Sequence, residues 1–270
     1  MPKEVILTLQ NISLHFGGIK AINDVSMQFE NQKITAVIGP NGAGKTTLFN
    51  IITGNYKPQT GSLTFKNIDL NKHDCHEITK LGIARTFQNI RLFKNLSVLD
   101  NLKVAFHVGT KYGPVDILFK NSAFKHEEKI IEEEAMTLLR LIKLEHKKDL
   151  PAASLSYGEQ RKLELVRTLA TKPKIILLDE PAAGMNPTET KELTELIKKI
   201  KVDFNLAIIL IEHDMGLVMD MSDEIYVLDY GVLIAQGKPS EIQKNPQVIQ
   251  AYLGISEGIN EEEHPEVISL

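Results

Sequence analysis

The segment GPNGAGKTT, residues 39–47, constrains the fold of this chain more than any other stretch. Its Gly39, Gly44, Lys45 and Thr46 match the pattern G-x-x-x-x-G-K-[ST], in which a glycine-rich turn joins a strand to a helix. The apolar run KITAVI precedes the segment, and LFNIIT follows it at helical spacing. The sequence therefore predicts a strand–loop–helix unit whose backbone N–H groups converge on phosphate oxygens.

This loop also carries the side chains that a bound nucleoside triphosphate and its Mg²⁺ require. Lys45 is long enough to reach the β- and γ-phosphates, and the Thr46 hydroxyl is placed to ligate Mg²⁺. We predict a nucleotide-binding site here, and its candidate residues are Gly39, Pro40, Asn41, Gly42, Ala43, Gly44, Lys45, Thr46 and Thr47.

Composition excludes several other classes of protein. A net charge of −4 over 270 residues gives no electrostatic case for binding nucleic acid. A single cysteine, Cys75, excludes an internal disulfide framework. No apolar run approaches the ~20 residues that span a bilayer, so a function at a membrane would need a spanning partner chain.

Periodicity divides the chain into three parts and a tail. Alternating strands and the loop unit predict a nucleotide-binding α/β core with an antiparallel β subdomain over residues 1–96 and 171–254. Residues 97–170 are charged and helix-rich, with a loop or insertion at 109–124, and predict a helical subdomain. Residues 255–270 are acidic and predict a frayed tail.

The run IILLDEP, residues 175–181, ends a buried strand with two carboxylates. The carboxyl edge of a parallel sheet is where α/β proteins bind ligands, and buried acids there need partners. Asp179 is the natural second ligand of the Mg²⁺ held by Thr46, and Glu180 is the candidate to orient or deprotonate an attacking water. Read alone, the pair could equally begin a loop.

A third segment, LSYGEQRKLELVRTLA at 155–170, places Ser156 and Gly158 at the start of an amphipathic helix. A serine hydroxyl and free N–H groups at a helix start can bind an anion. The same serine can serve only as the N-cap of the helix. The segment by itself leaves both interpretations open.

Taken in order, these motifs resemble the ATP-binding subunit of ABC transporters over residues 5 to 254. GPNGAGKTT resembles its Walker A, Gln88 its Q-loop, LSYGEQ its signature motif, IILLDEP its Walker B, Gly184-Met185-Asn186 its D-loop and His213 its H-loop. The resemblance implies a P-loop NTPase fold with a RecA-like core. Within the family, ARTFQNIRLFKNLSVLDNL, EPAAGMNPTETKEL, NPQVIQAYLG and the insertion around 104–126 resemble the branched-chain amino-acid uptake branch.

The resemblance implies roles that spacing alone does not. Members pair head-to-tail around two ATP molecules, so Ser156 and Gly158 would contact the γ-phosphate held by the partner. His213 would contact the γ-phosphate and hold the attacking water with Glu180, while Gln88 would reach Mg²⁺ and the water. The implied catalytic residues are Glu180, His213 and Gln88, and the implied Mg²⁺ ligands are Thr46, Gln88 and Asp179.

The resemblance also implies partners and a location. The chain would hydrolyse ATP at the cytoplasmic face of the cell membrane as a peripheral subunit. Its partners would be transmembrane permease subunits, docked around Gln88 and residues 89–130, and a second ATP-binding subunit, either a paralogue or another copy. An extracytoplasmic substrate-binding protein would act indirectly, and no nucleic acid would be bound.

Three positions depart from the commonest family pattern. Phe16 is the candidate to stack on adenine where tyrosine is usual, and it keeps the π-face. Tyr157 stands where glycine is common in the signature, which leaves its backbone N–H available. Asn186 replaces the usual D-loop aspartate, so a role that needs a carboxylate there is in doubt.

Two other functions remain to be separated from an importer's ATPase. A soluble ABC-type ATPase of nucleic-acid repair or translation usually carries a coiled-coil or zinc insertion or a second cassette, and none is seen here. A P-loop kinase or GTPase would not explain the signature segment or His213. The transported substrate stays open, since urea, short amides and other amino acids are alternatives to the branched-chain amino acids.

Overall fold

The computed structural model describes residues 4–107 and 122–253. Its strands are β1 (Val5–Phe16), β2 (Ile19–Glu30), β3 (Ile34–Ile38), β4 (Thr60–Phe65), β5 (Ile68–Asp69), β6 (Ile83–Arg85), β7 (Ile175–Asp179), β8 (Ala207–Ile211), β9 (Glu224–Asp229) and β10 (Val232–Gly237). Its helices are α1 (Lys45–Ile52), α2 (Cys75–Leu81), α3 (Val98–Phe106), α4 (Ser122–Leu141), α5 (Tyr157–Leu169), α6 (Pro187–Asp203), α7 (Met215–Met221), α8 (Pro239–Ile242) and α9 (Pro246–Leu253).

The N-terminal strands form an antiparallel sheet in the order β2-β1-β4-β5. The turn between β1 and β2 lies at Gly17, whose φ of 57° is one that glycine adopts without strain. Apolar side chains on one face of this sheet are buried against α1 and the main sheet, and they include Leu7, Leu9 and Phe29. The predicted antiparallel β subdomain is therefore confirmed.

The main sheet has the order β10-β9-β3-β8-β7-β6, and β9, β3, β8, β7 and β6 run parallel. All five residues of β3, β7 and β8 are buried, which confirms the buried strand predicted for IILLDEP and is typical of strands covered on both faces. One face packs against α1 and the antiparallel sheet, and the opposite face packs against α3, α4, α5 and α6. The parallel α/β core predicted from the sequence is confirmed.

The carboxyl ends of the parallel strands bring four loops to one edge of the main sheet. Gly39 follows β3, Thr86 follows β6, Glu180 follows β7 and Glu212 follows β8. Loops at this edge are held by rigid strands and are where parallel sheets bind ligands. The topology thus gathers segments that lie up to 173 residues apart in the sequence.

The described part of residues 97–170 contains α3, α4 and α5, in agreement with the predicted helical character. The loop predicted at 109–124 is wrong at its end, because α4 already begins at Ser122, and its residues 109–121 lie outside the described residues. The predicted tail at 255–270 also lies outside them, and the domain boundaries stay a prediction. Across residues 4–107 and 122–253, no helix is both long and apolar enough to cross a membrane.

A fully buried amide, Asn101 on α3, fixes the loop that leads into the helices. Its Oδ1 accepts from the backbone N–H of Phe93 at 2.9 Å, and its Nδ2 donates to the carbonyl oxygens of Phe93 and Ser97, each at 3.0 Å. The side chain therefore contacts three backbone groups of one loop. The Phe93 N–H depends on it for an acceptor, whereas the carbonyl oxygens of Phe93 and Ser97 also accept from backbone N–H groups, those of Leu96 and Asn101.

We expect Asn101→Ala to lower the free energy of unfolding by about 1–3 kcal/mol, because the Phe93 N–H would lose its acceptor and the hydrogen bonds of a buried amide would be removed. The measurement is urea denaturation followed by circular dichroism. The matched control is Asn95→Ala in the same loop, where the side chain is exposed. Equal stability losses in the two variants would contradict the assigned role of Asn101.

Candidate functional site

The loop after β3 is shaped by glycines with positive φ. Gly39, Gly42 and Gly44 have φ of 148°, 82° and 102°. A Cβ on Gly39 would lie 2.0 Å from the carbonyl oxygen of Leu228, and one on Gly44 would lie 2.4 Å from that of Ala21. The loop therefore needs glycine at both positions, and it delivers its N–H groups to the start of α1 at Lys45.

Lys45 folds back onto the loop that precedes it. Its Nζ donates to the carbonyl oxygens of Gly39 at 2.6 Å and Pro40 at 2.9 Å. Burial lowers the pKa of this ammonium below its usual 10.5, while the carboxylates of Glu180 and Asp179 raise it in part. The ammonium thus lies at the phosphate-binding loop, within electrostatic reach of both carboxylates.

Glu180 lies between two of the other predicted catalytic residues. Its Oε2 accepts from Nε2 of Gln88 at 2.7 Å, and its Oε1 lies 3.8 Å from Nδ1 of His213. Glu180 itself has φ of 46°, an uncommon value for a residue with a side chain, and its N–H donates to the carbonyl oxygen of Ile211 at 2.9 Å. The structure therefore brings together Gln88, Glu180 and His213, which stand up to 125 residues apart in the sequence.

Sequence reasoning missed Glu212, which immediately precedes His213 at the end of β8. Its carboxyl is 2% exposed, and its oxygens accept from the backbone N–H groups of Ala182 at 3.1 Å and His213 at 3.2 Å. Burial raises the pKa of this carboxyl, and the two N–H donors oppose that shift. Glu212 thus ties the loop after Glu180 to the loop of His213, and its position at the end of an apolar strand is the signal that could have identified it.

Asp179 is engaged by a second residue that the sequence did not single out, Arg85 of β6. Nη2 of Arg85 lies 2.6 Å from Oδ2 of Asp179, with side chains only 7% and 9% exposed. Nη1 donates to Oδ1 of Asn50 at 2.7 Å, and the guanidinium lies over the rings of Phe49 and Phe87. A lone cation in the apolar strand IARTFQ was the available signal for a buried partner.

Ser156 and Gly158 lie beside the segment that follows Glu180. The Ser156 hydroxyl accepts from the backbone N–H of Glu159 at 3.3 Å, and the Glu159 side chain returns to the Ser156 N–H at 3.0 Å. The N-cap interpretation of Ser156 is therefore confirmed as geometry. Gly158 is buried against the carboxylate of Glu189, which lies 2.8 Å from where a Cβ would stand. Their contact with a partner's nucleotide stays a prediction.

Two further predicted positions behave differently. Phe16 is half exposed at the end of β1, and its ring meets that of Tyr56 edge-on at a centroid distance of 5.3 Å. The Phe16 ring is therefore accessible from solvent, and its stacking on a base stays a prediction. Asn186, which stands where the D-loop usually has aspartate, is the N-cap of α6, and its Oδ1 accepts from the N–H of Glu189 at 3.0 Å. An amide performs this capping role as well as a carboxylate.

The set of oxygen donors at this edge suits a small hard cation. Thr46, Asp179 and Gln88 offer a hydroxyl, a carboxylate and an amide carbonyl, and Mg²⁺ prefers such ligands in proteins. The Thr46 side chain is exposed at the first turn of α1. The residues present therefore fit Mg²⁺, although Arg85 already holds one carboxylate oxygen of Asp179.

A family model described as "ABC transporter" matches residues 22–183, which is more than half of the chain. The chain belongs to the ABC transporter family. A second family model, described as "Branched-chain amino acid ATP-binding cassette transporter", matches residues 232–257, which include β10, α8 and α9. The fold class predicted from the motifs is confirmed at the level of the family.

Curated relatives of this ABC family member match nearly its whole length. It is 46% identical over 249 residues to the high-affinity branched-chain amino acid transport ATP-binding protein LivG of Salmonella typhimurium, covering 92% of this chain and 98% of the relative. It is 43% identical to the corresponding protein BraF of Pseudomonas aeruginosa over the same shares. A solved ATP-binding cassette of an ABC transporter in its ADP conformation superposes with a TM-score of 0.81 at 34% identity, covering 93% of this chain and 100% of that one.

We expect Arg85→Leu to lower the free energy of unfolding by about 3–5 kcal/mol, because Asp179 would be left as a buried charge without its partner. Denaturant unfolding measures the change, and combining it with Asp179→Leu should cost less than the sum of the two single variants. Lys129→Gln serves as the control, since its pair with Glu133 is exposed and should contribute under about 0.5 kcal/mol. A loss at Arg85 as small as that at Lys129 would contradict the prediction.

Proposed function

We propose that this chain is the ATP-binding and ATP-hydrolysing subunit that energises an importer of branched-chain amino acids. The observation that carries the proposal is that Gln88 and His213 both lie beside the carboxylate of Glu180. This group stands at the sheet edge that also bears the phosphate-binding loop. The names of the LivG and BraF relatives and the family model over residues 232–257 support the substrate class.

In this proposal Glu180 is the general base for the attacking water. The Gln88 amide donates to one carboxylate oxygen, which fixes the orientation of the side chain and leaves the other oxygen free to accept from water. His213 lies on the side of that second oxygen, exposed enough to contact an entering γ-phosphate. Lys45 and the N–H groups of the loop bind the phosphates, and Phe16 stacks on the base.

Thr46, Asp179 and Gln88 would hold Mg²⁺ in the same site. When bound, the ion neutralises charge on the phosphate oxygens. Ser156 and Gly158 would complete the site of a second ATP-binding subunit in a head-to-tail dimer, because they stand at the N-terminal end of α5, where N–H groups favour an anion. The second subunit is either a paralogue or another copy of this chain.

We expect Glu180→Gln to reduce the rate of ATP hydrolysis by roughly 10²-fold or more, as is typical when a general base is removed. ATP binding should persist, and the ATP-bound protein should accumulate as a dimer in size-exclusion chromatography. The measurement is phosphate release by the purified protein, with Glu195→Gln on the exposed face of α6 as the control. Hydrolysis at the wild-type rate by a monomeric Glu180→Gln protein would contradict the mechanism.

A groove between the core and the helices is the surface that we propose receives the permease. It encloses about 360 Å³, and the residues that line it include Ile78, Ile83, Phe87, Phe93, Val104 and Arg167. Phe93 and Val104 are exposed there. This mixture of apolar and basic side chains fits a short permease helix that carries apolar residues and a carboxylate.

Arg85, which also lines this groove, is already paired with Asp179, whereas Arg167 is placed to pair with an acidic group of a partner. Its guanidinium lies 5.7 Å from the centre of the Phe93 ring, and burial lowers its pKa while Glu164 raises it in part. Within residues 4–107 and 122–253 its nitrogens make no hydrogen bond and no ion pair closer than 4 Å. A half-buried cation without a close partner gains most when an incoming carboxylate pairs with it.

We expect Arg167→Gln to reduce the recovery of permease subunits when tagged protein is isolated from detergent-solubilised native membranes, because the carboxylate of the permease helix would lose its partner. Wild-type protein should retain two multi-span subunits, and Arg140→Gln on the exposed side of α4 is the charge-matched control. Equal recovery with Arg167→Gln would refute the groove contact. Recovery of nucleic acid or ribosomes without membrane protein by the wild type would refute the transporter assignment.

A further inference from the structure

Three side chains on one face of α5 have no role in the proposed reaction, but they form hydrogen bonds to the neighbouring loops. Tyr157, Arg161 and Glu164 stand four and three residues apart, which places them on the same side of the helix. Arg161 and Glu164 are 4% and 2% exposed, and their side chains pair at 3.2 Å between Nη1 and Oε2. Burying a charged pair costs desolvation free energy, and further hydrogen bonds to the pair must offset that cost. The groups that form those hydrogen bonds are therefore the ones that the pair orients.

The Arg161–Glu164 pair forms hydrogen bonds to three backbone groups of residues 87–91, the segment around Gln88 that we call the Q-loop. Nη1 of Arg161 donates to the carbonyl oxygen of Phe87 at 2.9 Å, and Nη2 donates to that of Gln88. Oε1 of Glu164 accepts from the backbone N–H of Arg91 at 2.9 Å. The planar guanidinium can satisfy two carbonyl groups and a carboxylate together, which an ammonium cannot do in this geometry.

Tyr157 connects the same helix to the start of the D-loop at Gly184 and to Ala183, the residue before it. Its hydroxyl donates to the carbonyl oxygen of Ala183 at 2.9 Å and accepts from Nη2 of Arg161 at 3.1 Å. Its ring also lies close to Gly184, where an added Cβ would be 3.6 Å from the ring. Glycine at position 157 could make none of these side-chain contacts.

The two loops held in this way meet at the catalytic carboxylate. The Q-loop presents the Gln88 amide, which donates to Glu180 at 2.7 Å. The residues that lead into the D-loop form a turn in which the N–H of Ala183 donates to the carbonyl oxygen of Glu180 at 3.2 Å. One helix therefore fixes both the donor and the acceptor of the Gln88–Glu180 hydrogen bond.

We propose that Tyr157, Arg161 and Glu164, which we name the α5 clamp, are positioning residues for Gln88 and Glu180 of their own protomer. Helix α5, which carries the signature motif, thereby positions Gln88 and Glu180 of its own subunit and also presents Ser156 and Gly158 to the nucleotide of a partner. This inference rests on the proposed function, which gives Gln88 and Glu180 their catalytic roles. Movement of α5 relative to the core would be transmitted to both loops through these bonds.

The first test removes a single hydroxyl. Tyr157→Phe keeps the ring and loses the bonds to Ala183 and Arg161, so kcat for ATP hydrolysis should fall about threefold to tenfold while KM for ATP is unchanged. Tyr226→Phe is the matched control, because its buried hydroxyl donates to the carbonyl oxygen of Gln28 at 2.9 Å, away from the site. The control should lower the thermal unfolding midpoint and leave kcat unchanged. Wild-type kcat in Tyr157→Phe would overturn the assignment of Tyr157.

The second test asks whether Arg161 acts through Gln88. Arg161→Lys should lower kcat in the wild-type background and have a clearly smaller effect when Gln88→Ala is already present. An equal fold-loss in both backgrounds would overturn the clamp. Wild-type turnover by Glu180→Gln would overturn the proposed function as well, whereas an inactive Glu180→Gln together with fully active Tyr157→Phe and Arg161→Lys would overturn the clamp alone.

Discussion

Burial of the strands β3, β8 and β7 on both faces is the constraint on which the rest of the structure depends. Each strand is buried at all five positions, is apolar apart from Thr35 in β3 and the terminal Asp179 in β7, and lies between a helical layer and a layer formed by α1 and the antiparallel sheet. Such strands have no exposed face, so charged groups enter at their ends. The phosphate-binding loop, Asp179, Glu180 and Glu212 are all placed by this rule.

Each carboxylate at the carboxyl edge of the main sheet has its own hydrogen-bond or ion-pair partner. Asp179 is paired with Arg85, Glu180 accepts from Gln88, and Glu212 accepts from two backbone N–H groups. Each of these carboxylates is therefore oriented by its own hydrogen-bond donors. Preorganised groups of this kind lose little free energy to reorientation during a reaction.

Side chains of the helical layer form hydrogen bonds to the loops at this edge of the main sheet. Arg161 and Glu164 bind backbone groups of the Q-loop, while Asn101 fixes the loop that follows it. The groove that we propose for the permease is lined by the same Q-loop and by α3. A force applied by a partner at the groove would therefore act on a segment that is hydrogen-bonded to the carboxylate of Glu180.

The sequence by itself determined the fold class, the motif order and most of the candidate site. Local patterns sufficed for GPNGAGKTT and for the strand that ends at Asp179, because a glycine turn or a doubly buried strand has a residue pattern of its own. Only the tertiary structure decided the partners of those groups. The bonds from Arg85 to Asp179 and from Arg161 to Gln88 join residues 73 or more positions apart, and no periodicity encodes which distant acceptor a buried guanidinium will meet.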